Sequence, residues 1–221
     1  YTTILIFCVA HAFNEVLEKQ KYFQLLYVFA FLGITFLLLT KLTIVLMVAL
    51  LFYMFLFKST LSSVYKGVGI LASVLSLFIL VQYTPGIKNR FVEVYKSINV
   101  KPKELAFDST NIRKAIFDCS TNLVKENWVT GVGFENLQAK LNECYAANYD
   151  SSFYENHNYL THNYYLYILI STGILGFVFY LFYLATIIKI SLKSNLFLFN
   201  SFIVTILIVC FIEDFFYRQY G

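Results

Sequence analysis

Residues 22–57 are apolar almost without interruption, and Thr40-Lys41 is the only break. As one helix this run would reach about 54 Å at 1.5 Å per residue, against a hydrocarbon core of roughly 30 Å. Two helices joined by a tight turn at Thr40-Lys41 solve that mismatch. A single long helix with a lysine buried at mid-membrane is the alternative. Lipid is the solvent in both cases. Of the 221 residues, 59% are hydrophobic and 14% charged, where soluble domains average about 45–50% and about 25%. The mean hydropathy is +0.66.

Three further runs, 67–83, 164–188 and 196–216, are also apolar over lengths that suit a bilayer. Residues 1–13 are apolar but too short to span fully. We therefore expect an all-α, polytopic transmembrane protein in three parts. Residues 1–83 would hold a truncated first helix and three spans, and 84–161 a long aqueous loop with short helices. Residues 162–221 would hold two C-terminal spans, the last truncated. The chain opens on Tyr1 and closes on Gly221, so we expect it to be cut inside a helix at both ends. No secretory signal pattern is visible.

Short loops rich in lysine mark the cytoplasmic side of a membrane protein. Lys19 and Lys21, Lys58 and Lys66, and Lys189 and Lys193 mark three such connections. Alternation then places Lys41, the segment 84–161 and Arg218 on the opposite face. That segment carries nine basic and nine acidic residues, so its own charge says nothing about side. The net charge of +4 reflects topology rather than nucleic-acid binding.

The aqueous segment is too long for an empty linker, and its aromatic content argues against disorder. Its pattern predicts a helix over about 111–126, with Asp108, Ser109 or Thr110 as N-cap candidates. Ile112, Ala115, Ile116, Cys119 and Leu123 recur at helical spacing and define its packed face. A second helix is expected over about 135–147. Between them, Gly131-Val132-Gly133 reads as a turn with close backbone approach, since it lacks the spacing of a phosphate loop. Cys8 and Cys210 lie in apolar runs as small hydrophobes. A Cys119–Cys144 disulfide remains open on the sequence alone, and no spacing resembles a zinc site.

His157 and His162 are each followed by asparagine. Five residues of helix would separate them by about 140°, which argues against a metal pair. If a helix begins near Thr161, His162 shares a stripe with Gly173 and Gly176, eleven and fourteen residues on. Such small residues let membrane helices pack closely and would fix an imidazole at the watery end. The alternative is a boundary histidine and two unrelated packing glycines. Arg90 and Arg113 are the arginines of the aqueous segment, and arginine offers a planar fork suited to phosphate. Lys41 at a membrane mouth needs to snorkel or meet an anion. Glu213-Asp214 in an apolar run needs a partner, and Arg218 stands at i+4 from Asp214. The tyrosines between 145 and 167 read first as an interfacial belt and second as a surface for stacking sugars.

His162-Asn163, nine residues, then Gly173-Ile-Leu-Gly176 resembles the H-[N/S/Q]-x9-G-x-x-G pattern of the O-antigen ligase family. His157-Asn158 does not fit, because the corresponding offset falls on Ile168. "NIRKAIFDCSTNLVKENWVTGVGF" is similar to that family's arginine, helix and Gly-x-Gly turn. "LLLTKLTIVLMVAL" is similar to its T-x-S-R helix start, with Lys41 where the family has arginine. "IEDFFYRQYG" is similar to its acidic start of a late helix. The resemblance runs over most of the chain from about Tyr22 onward.

The resemblance implies a lipid-linked-sugar transferase of the bacterial inner membrane, acting at its periplasmic face without metal or other cofactor. Its donor would be a glycan on undecaprenyl pyrophosphate, and its acceptor lipid A-core or, in polymerases, a growing glycan. Nucleic acid has no part in it. Arg113 and Lys41, with Arg90, would hold the diphosphate, and His162 would act as base or orient the acceptor hydroxyl. Asn163 would orient the imidazole or an acceptor, Gly173 and Gly176 would be structural, and Glu213 would belong to the supporting set. A lipid-linked sugar transporter or flippase is the rival from another class. It would be expected to show broken helices in repeated halves, and no repeat is visible.

Overall fold

The computed structural model describes residues 2–37, 41–59, 62–64, 66–68, 70–71, 75, 92, 95–97, 99–104, 107–155, 157–194, 196–214 and 216–217. The expected span at 67–83 therefore lies largely outside the described residues. The described part is all-helical, with no strand and one isolated bridge between Glu104 and Ser151. Two compact units are present. Tyr1–Leu80 with Ile188–Ile206 forms the first, and Val81–Ile187 with Leu207–Gly221 the second.

In the first unit, α1 is Thr2–Lys19, α2 is Gln24–Leu37 and α3 is Lys41–Phe57. The long apolar run thus holds two helices, and residues 38–40, where the turn is expected, lie outside the described residues. Ile6, Val9, Ala12, Val28 and Met47 form their shared core. Thr35 satisfies its hydroxyl on the carbonyls of Phe31 and Leu32, at 2.7 and 2.9 Å, and lies 3.5 Å from Met47 Sδ. Leu26, Phe29, Val45 and Phe57 stand exposed on the outside. An outer face as apolar as the core is the pattern expected when the surroundings are lipid.

In the second unit, α4 is Ser109–Asn127 and α5 is Leu137–Asn148. Asp108 caps α4 and accepts hydrogen bonds from the Thr110 and Asn111 amides, at 2.7 and 3.0 Å. The Asn111 side chain returns one to the Asp108 amide at 2.8 Å. The predicted face of α4 is the buried one: Ile112, Ala115, Ile116, Cys119 and Leu123 meet Leu137, Leu141 and Tyr145 of α5. A Cys119–Cys144 disulfide closes this pair covalently. Tyr145, Tyr149 and Phe153 lie inside the same core, so Tyr145 and Tyr149 are not part of an interfacial belt. The Tyr145 and Phe153 rings meet tilted at 5.4 Å and the Tyr149 and Phe153 rings edge-on at 6.2 Å, geometries that aromatic pairs favour.

Two helices complete the described chain, α6 over Tyr164–Ser194 and α7 over Phe197–Cys210. Among the described residues, α6 alone is long and apolar enough to cross a membrane. It is not straight. Gly173 has φ 66° and ψ −171°, far from helical values. Tyr164 and Tyr180 would have their Cα atoms about 24 Å apart on a straight helix, yet their ring centres are 5.9 Å apart. The helix therefore doubles back at Gly173. The remaining 174–194 stretch still reaches about 32 Å, enough for the hydrocarbon core.

The turn between α4 and α5 repairs the break. Val132 and Gly133 amides donate to the Ile170 and Ser171 carbonyls, at 2.8 and 2.9 Å, and the Ile174 amide donates to the Trp128 carbonyl at 2.7 Å. These are groups that a bent helix leaves orphaned. Gly131, at φ 70°, and Gly173 face each other backbone to backbone. A Cβ on Gly131 would lie 2.5 Å from the Ser171 carbonyl oxygen, and one on Gly173 would strike the Val129 carbonyl. The close backbone approach expected of Gly131-Val132-Gly133 is present, and its partner is α6.

Candidate active site

Asp214 organises the start of α6. Its carboxylate is 2% exposed and accepts three hydrogen bonds: from Thr161 Oγ1 at 2.6 Å, the His162 amide at 2.8 Å and the Asn163 amide at 3.2 Å. Asn163 then caps α6, its Oδ1 accepting from the Tyr165 and Leu166 amides at 3.0 and 3.1 Å. Between the two anchors His162 is held at φ 47°, a left-handed conformation that non-glycine residues seldom adopt. Strain of this kind persists only where neighbours over-determine it, and Asp214 with Asn163 does so here.

The imidazole is largely buried, at 16% exposure, and its Nδ1 lies 3.4 Å from Glu213 Oε2. The other carboxylate oxygen of Glu213 is 3.7 Å from Arg113 Nη2. Glu213 thus stands between a buried imidazole and an arginine that is 54% exposed. The 3.4 Å contact is too long and poorly aligned for a hydrogen bond. Tyr159 closes one side, its ring centre 6.3 Å from that of His162. A carboxylate at Nδ1 favours the tautomer that leaves Nε2 free to take a proton.

Of the residues singled out by sequence, His162, Asn163, Arg113 and Glu213 come together. Lys41 opens α3 in the other unit, and Arg90 and Arg218 lie outside the described residues. His157 is exposed and stacks on Tyr159 at 5.7 Å. The shared stripe of His162, Gly173 and Gly176 is a misreading. Its 3.6-residue arithmetic assumes one continuous helix from Thr161, whereas α6 starts at Tyr164 and bends at Gly173. Gly176 has a different role: a Cβ there would strike the Thr172 side chain across the bend. Sequence reasoning missed Asp214 as the organiser of the site. The signal was present in the cost of a buried Glu213-Asp214 pair, but the partners lie more than fifty residues upstream rather than one turn away.

The described residues thus combine an all-helical fold, one membrane-length helix and an imidazole–carboxylate–arginine constellation. The family model for O-antigen ligase matches residues 26–181, well over half of the chain, and the chain belongs to that family. The matched stretch includes Lys41, Arg90, Arg113, His162 and both α6 glycines, and ends before Glu213 and Asp214. No curated protein matches the chain, and no solved structure does.

Proposed function

We propose that this protein transfers a glycan from undecaprenyl pyrophosphate to an acceptor hydroxyl, as O-antigen ligases do with lipid A-core, at the periplasmic face of the inner membrane. The observation that carries this reading is Glu213 bridging His162 and Arg113. An imidazole and an arginine on one carboxylate support the reading of a proton acceptor beside a diphosphate-binding cation.

In the proposed reaction the acceptor hydroxyl attacks the anomeric carbon while His162 Nε2 takes its proton. The bond from that carbon to the diphosphate breaks, and the bonding electrons leave with the phosphate oxygen. Arg113 stabilises the charge that grows there, as a positioned cation does. Glu213 holds the imidazole through Nδ1 and stabilises the imidazolium that forms, in the manner of a carboxylate behind a catalytic histidine. Lys41 and Arg90 remain the further diphosphate ligands that the family resemblance implies. The disulfide supports an oxidising compartment for 109–148, which agrees with the orientation drawn from the lysine-rich loops. The exposed apolar faces of α2, α3 and α6 support a polytopic arrangement.

The test is transfer by purified full-length protein from a lipid-linked glycan to lipid A-core. His162→Ala is expected to lower turnover by about 10²–10⁴-fold, and Arg113→Ala to weaken donor binding. Full transfer by the His162 variant would sink the proposal. Extension of the lipid-linked glycan in place of transfer to lipid A-core would assign the protein to the polymerases of the family.

A further inference from the structure

The second unit carries an open cleft of about 710 Å³ away from His162, lined by Glu104, Asn148, Asp150, Ser152, Tyr154 and Glu155 among others. Its backbone is fixed. The Glu104 amide donates to the Asp150 carbonyl, the Ser152 amide donates back to the Glu104 carbonyl at 3.2 Å, and Ser151 Oγ donates to the same carbonyl at 3.0 Å. Tyr154 forms the aromatic wall, packed behind by Tyr145 and Phe153 at 6.0 and 5.5 Å.

The lining chemistry narrows the occupant. It offers carboxylate, amide and hydroxyl acceptors beside an aromatic face, and among the described residues no lysine or arginine lines the cleft. An anionic ligand has no counter-charge among these residues. Lys101 is the cation that the structure puts against a lining residue, and its ammonium sits 5.5 Å from the Tyr149 ring centre. The carboxylates also do not converge, since among the described residues no three His, Cys, Asp or Glu side chains gather as metal ligands. Dispersed acceptors around a ring face suit a ligand with many hydroxyl donors and one flat apolar side. Three ring-to-ring steps of 5.5, 5.8 and 6.3 Å lead from Tyr154 through Phe153 and Tyr159 to His162. These contacts pass through the buried Phe153 behind the wall, so they bound the distance between the cleft and His162.

We infer that this cleft is a distal saccharide subsite, which holds neutral or amino sugars of a glycan whose reacting end lies at His162. The inference rests on the glycan-transfer reading and adds to it the class of sugar recognised. Sugar hydroxyls donate to Asp150 and Glu155 while a pyranose face lies on Tyr154.

The test uses full-length protein in nanodiscs against an array of neutral, amino and uronic-acid oligosaccharides, together with transfer assays on short and long acceptors. Wild type is expected to bind neutral and amino oligosaccharides and to leave the acidic ones. The isosteric pair Asp150→Asn with Glu155→Gln is expected to weaken that binding by at least about tenfold, since each exchange removes a charge-assisted hydrogen bond. The same double variant should keep its turnover on a single-sugar acceptor, and its unchanged melting profile excludes misfolding. Tyr154→Ala provides a second, charge-independent reading of the same wall. Equal binding of acidic oligosaccharides, undiminished binding by both variants, or transfer by a wild type that binds no array glycan would each overturn the subsite. Selective binding without any transfer would leave the subsite standing and overturn the catalytic proposal instead.

Discussion

Glu213 and His162 are fifty-one residues apart in sequence and 3.4 Å apart in space, with the carboxylate at imidazole Nδ1. In the proposed reaction a neighbour so placed acts on the tautomer and on the charge that the ring acquires. Glu213→Gln keeps the shape and removes the charge. We expect turnover to fall by about a hundredfold or more with little change in acceptor KM. Steady-state kinetics on the lipid-linked donor separates the two, and a loss confined to KM would contradict the assignment.

Asp214 is a different kind of partner. Its three hydrogen bonds end on the backbone and hydroxyl of residues 161–163, so its loss leaves buried donors unsatisfied. Asp214→Ala is expected to lower stability by about 3 kcal/mol and to remove activity through disorder of the His162 turn. Thermal unfolding in detergent, paired with activity below the shifted midpoint, measures both.

The three positive-φ glycines are not equivalent. Gly131 and Gly173 meet backbone when a Cβ is added, whereas at Gly133 the nearest atom is Asn136 Nδ2 at 3.7 Å. Gly133→Ala is therefore expected to cost only the left-handed strain, about 1–2 kcal/mol. Gly131→Ala and Gly173→Ala add overpacking and should cost roughly 3–5 kcal/mol. Comparable melting points for all three variants would refute the backbone-to-backbone contact.

The disulfide closes a loop with a sequence separation of 25. Chain-entropy arguments assign such a closure about 3–4 kcal/mol. Exchange of both Cys119 and Cys144 for alanine is expected to destabilise the second unit by up to that amount. Differential scanning calorimetry with and without reductant gives the same comparison on the wild type.

Alkaline pH provides a further handle. Burial, then the Asp118 carboxylate beside it, pushes the Tyr149 phenol up to about 12. In the unfolded chain the group titrates near 10. The neutral phenol is thus favoured by folding. Its contribution is fully present below about pH 10 and is lost as pH rises toward about 12. Burial pushes Tyr145 in the same direction. Tyr149→Phe should flatten the fall in melting temperature across that window.

Local rules carried much of this structure. The Asp108 cap, the packed stripe of α4, the start of α3 at Lys41 and the Gly-x-Gly turn all follow from a few neighbouring residues. What failed was extrapolation along α6. The rotation from His162 to Gly173 holds only if no outside group competes for the helix's hydrogen bonds, and the turn at 131–133 does compete. The partners of Glu213 and Asp214 were hidden for the same reason, because a choice between a residue one turn away and others fifty upstream is made by tertiary packing.

The bend at Gly173 also sets an order of synthesis. The turn at 131–133 is made about forty residues before its docking site on α6 leaves the ribosome, so it is waiting when that site emerges. The 164–194 sequence alone permits a straight rod that satisfies its own backbone. Selection of the bent form therefore falls to a turn already translated. A chain shortened within that turn would still be helical over 164–194, but that helix would take the wrong one of two shapes.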